Sequence, residues 1–132
     1  MATLPVSDIP AYLSQIELAL VSSPVIAEYH IVRSWANTDD GYLRLRATLA
    51  NGDFLEAAEY FVLDRDQILT IDYHHQWMDG HKQVLRRRWD SAPDHPELEN
   101  FPHHIHLGSE TTIIPGHPLS LVELLNILES EL

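Results

Sequence analysis

The sequence predicts an α+β fold: a five-stranded antiparallel meander with a short N-terminal helix before it, a His/Pro-rich loop after it, and a C-terminal helix. Three observations predict this. Tyr42 to Ala50 alternates between apolar and polar side chains without a break, which is the period of a half-buried strand. Asn51-Gly52 and Asp79-Gly80 each stand between strand-like segments, and such pairs accept the positive φ of tight hairpin turns. Near the end of the chain, Leu121, Leu124, Leu125, Leu128 and Leu132 fall on one stripe of a helix, the pattern of an element packed on a sheet.

Taken in order, Ser7-Asp8-Ile9-Pro10 reads as a helix start, because proline is accepted in the first turn. Leu13, Ile16, Ala19 and Leu20 then recur at helical spacing, and Pro24 closes the segment. Glu28 to Ala36 is the first strand, and Asn37 to Gly41 is a turn by its composition. The second strand puts Leu43, Leu45, Ala47 and Leu49 on one side and Tyr42, Arg44, Arg46 and Thr48 on the other. A two-residue turn at Asn51-Gly52 sets Leu49 opposite Phe54, Leu45 opposite Ala58, Leu43 opposite Tyr60 and Arg44 opposite Glu59. Arg44 and Arg46 are then expected in a surface charge ladder. Gln67 to Trp77 is the fourth strand and Lys82 to Trp89 the fifth. Folding about Asp79-Gly80 sets Tyr73 opposite Arg86, His75 opposite Val84 and Ile71 opposite Arg88. Tyr73, His75, Arg86 and Arg88 then share one face, and Asp72, His74, Arg87 and Trp89 the other. Both faces mix apolar and charged residues, so the pattern leaves open which is core. Ser120 and Glu123 have capping-box spacing at the start of the last helix.

A chain of 132 residues suits one domain with a real core. No apolar run approaches the roughly 20 residues of a membrane span. Met1 to Pro10 lacks the basic and apolar regions of a secretory leader. There is no cysteine, which removes disulfides and thiolate metal ligands, and a cytoplasmic location is expected. The net charge of −12 argues against a broad electrostatic footprint on nucleic acid. The charge is uneven, however. Between Tyr73 and His106 lie seven of the nine histidines and four of the eight Lys/Arg, against five acids. An anionic ligand would meet least repulsion there.

The stretch from Trp89 to His106 holds four histidines and three prolines, and three readings of its imidazoles stay open. As acid–base groups near neutrality they suit RNA cleavage, with arginine holding the phosphate. Tyr73, Trp77, Trp89 and Phe101 could then stack unpaired bases. As metal ligands, His104 and His106 share one side of an extended segment, with His95, Asp90 or Asp94 as a third donor. As structural groups, they would bond to the main chain. His30 and His117 stand apart and read as structural.

The runs Tyr29 to Trp35, Gly41 to Leu49, Tyr60-Phe61, Tyr73-His74-His75-Gln76-Trp77, Arg88-Trp89-Asp90-Ser91-Ala92-Pro93, His95-Pro96-Glu97-Leu98 and Phe101-Pro102-His103-His104-Ile105-His106 resemble the TumE-like toxin family of prokaryotic toxin–antitoxin systems. The Pro-His-His-x-His run is the most specific part. The resemblance implies a small cytoplasmic protein that is partnered by an antitoxin and acts on RNA. It carries the family's motif onto Tyr73, His75, Arg88, Asp90, His95, His103, His104 and His106. Asp94 stands where the resemblance leads one to expect histidine.

Combined with the residues, this leads to an expected metal-independent endoribonuclease. His104 and His106 transfer protons, Arg88 and Arg86 bind phosphate, Tyr73 or His75 orients it, and His95 and His103 contact substrate. No cofactor is then needed. The alternatives are zinc or another divalent metal on His95, His104 and His106, or a non-catalytic interaction module. The module would use the acidic surface and the terminal helix, as one half of a homodimer.

Overall fold

A computed structural model describes residues 8–132. The leader reading of Met1 to Ser7, and the part Ser7 plays in the helix start, fall outside them. Helix α1 (Ile9–Ser22) is followed by strands β1 (Ile26–Ala36), β2 (Asp40–Leu49), β3 (Phe54–Asp64), β4 (Gln67–Met78), β5 (Leu85–Asp90), β6 (His104–Leu107) and β7 (Ile113–Pro115), then by helix α2 (Leu121–Glu131). The strands form one antiparallel sheet in sequence order. It has seven strands rather than five. The two extra strands come from the segment read as loop and from the turn beyond it. At four and three residues, His-Ile-His-Leu and Ile-Ile-Pro, they are too short to show a period.

Both helices pack on one face of the sheet. Asp8 caps α1, its carboxylate accepting from the Ala11 amide at 2.8 Å, and Ile9, Tyr12, Ile16 and Leu20 are its buried stripe. The expected capping box of α2 is present, with Ser120 and Glu123 each accepting from the other's backbone amide at 3.2 Å. Leu121, Leu124, Leu125 and Leu128 are buried, each contributing roughly 2 kcal/mol of apolar burial. Leu132 is exposed. On the sheet side they meet Leu43, Leu45, Ala47 and Leu49 of β2 and Leu55, Ala57 and Phe61 of β3, so the alternation of the second strand is borne out.

Both hairpin registers differ from expectation. Between β2 and β3 the partners are Thr48 with Phe54, Leu45 with Ala57 and Leu43 with Glu59. Only Gly52 has positive φ in this turn. The Leu49 amide bonds to the Asp53 carbonyl at 2.8 Å, so the loop holds three residues instead of two, and the pairing slips by one. Arg44 and Arg46 therefore reach Glu56, at 2.8 and 3.0 Å, and not Glu59. They do form the expected surface ladder.

Glu59 turns inward, fully buried. It accepts from the Tyr12 hydroxyl at 2.6 Å, the Thr70 hydroxyl at 2.8 Å and the Leu121 amide at 2.8 Å. One carboxyl thus ties together α1, β3, β4 and the positive end of α2.

The β4–β5 hairpin differs more. His75 pairs with Trp89, Gln76 with Arg88 and His74 with Asp90. The Asp79 carboxylate accepts from the Gln83 and Val84 amides, both at 2.8 Å. Lys82 takes positive φ. The connection is therefore a wide turn built on Asp79, not a two-residue one at Asp79-Gly80. The slip decides the faces. Tyr73, His75 and Trp89 are buried on the helix side, and His74, Gln76, Arg88 and Asp90 lie on the other.

Candidate functional site

β6 completes this second face. His106 pairs with Arg88 and His104 with Asp90. Since alternate residues of a strand share a face, two rows cross the sheet: Gln76–Arg88–His106 and His74–Asp90–His104. The segment between β5 and β6 folds back over them and sets His95 against both histidines. The ring centroids are 5.0 Å apart for His95 and His104, 6.0 Å for His95 and His106, and 5.0 Å for His104 and His106. One nitrogen from each of the three lies within 4.8 Å of the other two.

Hydrogen bonds fix the tautomers of the two strand histidines. Nδ1 of His104 lies 2.9 Å from the Pro102 carbonyl, and Nδ1 of His106 lies 3.2 Å from the Glu110 carbonyl. A carbonyl only accepts, so both Nδ1 atoms carry the proton and donate it. Nε2 is then a lone pair in each ring. Nε2 of His106 accepts from Arg88 at 3.2 Å. Nε2 of His104 is buried and has no partner among the described residues, with Asp90 Oδ2 at 4.0 Å. Leaving such an atom unpaired costs about 1–3 kcal/mol. Burial, and next the Arg88 charge, push the His106 pKa below its ordinary value.

Arg88 is held from several sides. Its guanidinium donates to both carboxylate oxygens of Glu110, at 2.8 and 2.5 Å, and to Gln76 at 3.2 Å. Its Nε lies 3.6 Å from Asp90. The Glu110 hydrogen bonds push the Arg88 pKa up, and Arg88 holds the Glu110 carboxyl below its ordinary value. Next to this cluster is a hollow of about 410 Å³ lined by Tyr42, Ala58, Tyr60, Asp72, His74 and Asp90 among others. The Trp35 ring packs against the rings of Tyr42 and Tyr60, with centroids 6.0 and 6.1 Å apart.

Of the residues expected at the site, the fold gathers Arg88, Asp90, His95, His104 and His106. It places the others elsewhere. His75 is buried on the helix side, where its Nε2–H donates to the Leu119 carbonyl at 2.9 Å, and burial pushes its pKa down to about 4. The Tyr73 hydroxyl donates to the His117 carbonyl at 2.9 Å and meets His103 Nδ1 at 3.0 Å. Tyr73 and His103 are thereby fastened to the segment leading into α2. Arg86 pairs with Asp53 at 3.5 Å, at the end of the β2–β3 hairpin. Trp77 and Trp89 lie against Arg87, away from the cluster, and Asp94 is exposed. His74, Gln76 and Glu110 were missed. The first two follow from strand parity once the register is known, whereas Glu110 sits in the β6–β7 turn and carries no sequence signal.

An antiparallel sheet with helices on one face and an arginine–histidine–carboxylate cluster on the other defines a small α+β protein with one concentrated polar site. The family model described as toxin TumE matches residues 16–132, nearly the whole chain. The chain therefore belongs to the TumE toxin family, and so to the toxin side of toxin–antitoxin systems. No curated protein and no solved structure matches it. Among the described residues, no helix is long and apolar enough to cross a membrane.

Proposed function

We propose that this toxin cuts RNA, and that its site is the face formed by β4, β5 and β6. A cognate antitoxin would neutralise it. The observation that carries this reading is the convergence of the Arg88 guanidinium with imidazole lone pairs, 3.2 Å from Nε2 of His106. Cleavage of an RNA strand by its own 2′-hydroxyl needs a base for the hydroxyl proton, an acid for the leaving 5′-oxygen and a cation for the charge that develops on the phosphoryl oxygens. One imidazole lone pair takes the 2′-hydroxyl proton, the 2′-oxygen bonds to phosphorus as the bond to the 5′-oxygen breaks, and a second imidazole in its protonated form gives that leaving oxygen a proton. Arg88 supplies the planar fork that matches phosphate oxygens. A phosphate would take the place that the Glu110 carboxylate occupies. Glu110 is two-thirds exposed while the Arg88 side chain is only 14% exposed, so a phosphate arriving from solvent can replace the carboxylate with the same two-bond contact to the guanidinium. The neighbouring hollow, walled by Tyr42 and Tyr60, suits an unpaired base, since aromatic faces stack on bases of any identity.

The test is incubation of the purified chain with single-stranded RNA, with and without EDTA. Arg88→Ala should slow cleavage about 100-fold or more, the size typical of losing a charge-stabilising donor. Expression without an antitoxin should arrest growth, and Arg88→Ala should relieve the arrest. A toxin that arrests growth but leaves RNA intact, or an Arg88→Ala protein that cuts as fast as the parent, would overturn the reading.

A further inference from the structure

We propose that His95, His104 and His106 form a binding site for a divalent transition metal of the zinc class. The site shares its face with the nuclease reading but stands whether or not RNA is the substrate. Three features carry it. The first is convergence, since one nitrogen of each ring lies within 4.8 Å of the others. Imidazole nitrogens about 2.0–2.1 Å from a tetrahedral ion are about 3.4 Å apart. The rings need to close by little more than an ångström, and His95 sits in the connection between β5 and β6 and not within a strand.

The second is preparation. His104 and His106 each donate Nδ1–H to a main-chain carbonyl. That arrangement orients a ligating imidazole and turns its Nε2 lone pair outward. The third is the Nε2 atom of His104, in a side chain only 1% exposed and without a partner among the described residues. A neutral imidazole buried beside two others, its lone pair unused, lacks an electron-pair acceptor, and a cation is one.

The donor set selects the metal. Three neutral imidazoles suit zinc, nickel, copper or cobalt, whereas magnesium and calcium require oxygen ligands. Three protein ligands also leave the fourth position of a tetrahedral ion open, as in catalytic sites. Asp90 Oδ2, 4.0 Å from His104 Nε2, is near enough to hold a water there. Arg88 opposes the ion, because it donates to the same His106 nitrogen. Glu110 already holds the guanidinium by two bonds, so Arg88 can release His106 and stay paired. Removing Arg88 should therefore tighten metal binding while weakening any contact with phosphate.

The experiment uses the full chain, stripped with EDTA, desalted and titrated with zinc chloride or cobalt chloride. One equivalent should bind, and the cobalt form should show the intense visible bands of tetrahedral coordination. A hundredfold excess of zinc over Kd should raise Tm by about 8 °C, and magnesium should not. His95→Ala alters only the covering segment and leaves the sheet intact. It should weaken zinc binding at least tenfold and, at the same zinc concentration, cut the Tm rise to about half or less, while Arg88→Ala should bind several-fold more tightly. Unchanged affinity in His95→Ala, an octahedral cobalt spectrum, or no binding at micromolar zinc would overturn the proposal. Stoichiometric zinc without RNA cleavage would reject only the nuclease reading. Cleavage in EDTA by protein that binds no zinc would reject only this one.

Discussion

Acidification should destabilise the fold through His75, and the size of the effect follows from the burial of that residue. Its ring is completely buried beneath the segment leading into α2 and donates to the Leu119 carbonyl. Burial pushes its pKa from 6.5 down to about 4. Between those two values the unfolded chain binds a proton that the folded chain does not. The stability is therefore complete above the unfolded value and is lost as pH falls toward the folded one. A gap of that size corresponds to about 3 kcal/mol, of which about 2 kcal/mol should disappear between about pH 7 and pH 5. Other groups titrate in the same range. Burial also lowers the pKa of His103 and His106, which adds to the loss. Burial raises that of Glu59, whose ionised form is disfavoured in the folded state, so acidification recovers stability there. The wild-type curve is a sum, and the difference from a variant isolates His75. His75→Gln keeps a donor for Leu119 and removes the titration. Urea unfolding of both proteins at pH 7 and pH 5 should show wild type losing about 2 kcal/mol more than the variant. An equal loss in the two proteins would refute the reasoning, as would an NMR titration that places the His75 pKa near 6.5.

Two further expectations concern charges whose roles were set by packing. Glu110→Gln should free Arg88 from its carboxylate and raise affinity for labelled single-stranded RNA about fivefold or more at low salt, the worth of a two-bond arginine–carboxylate contact; fluorescence anisotropy that shows no gain would count against Glu110 occupying the phosphate position. Glu59→Ala should leave the Tyr12, Thr70 and Leu121 donors without an acceptor and lower stability by about 3 kcal/mol, readable in urea midpoints, and a loss under 1 kcal/mol would mean that water replaces the carboxylate easily.

Local patterns were legible wherever one residue type met one physical demand. The alternation of β2, the capping box of Ser120 and Glu123, and the leucine stripe of α2 as far as Leu128 appear in the structure as the sequence predicts them, with Leu132 left exposed beyond the helix. The density of imidazoles around His104 and His106 was legible too, because histidine so concentrated is rarely core filler. The turn residues also marked the hairpins. They did not set the register, because loop length depends on how many backbone groups the turn itself satisfies: Gly52 alone takes the positive φ in the first turn, and Asp79 gathers two amides in the second.

By itself the chain determined its two helices, its first five strands, its core stripe and the neighbourhood of its chemistry. Only the tertiary structure decided which histidines share a face. Side chains alternate with a period of two along a strand, so a slip of an odd number of residues in the β4–β5 pairing changes which side chains stand together. That slip parted Tyr73 and His75 from Arg88 and brought His74 beside Asp90, while the β5–β6 pairing set His104 on the other side of Asp90. The covering position of His95 also had to come from the fold, since a proline-stiffened connection carries no period that says what it lies against.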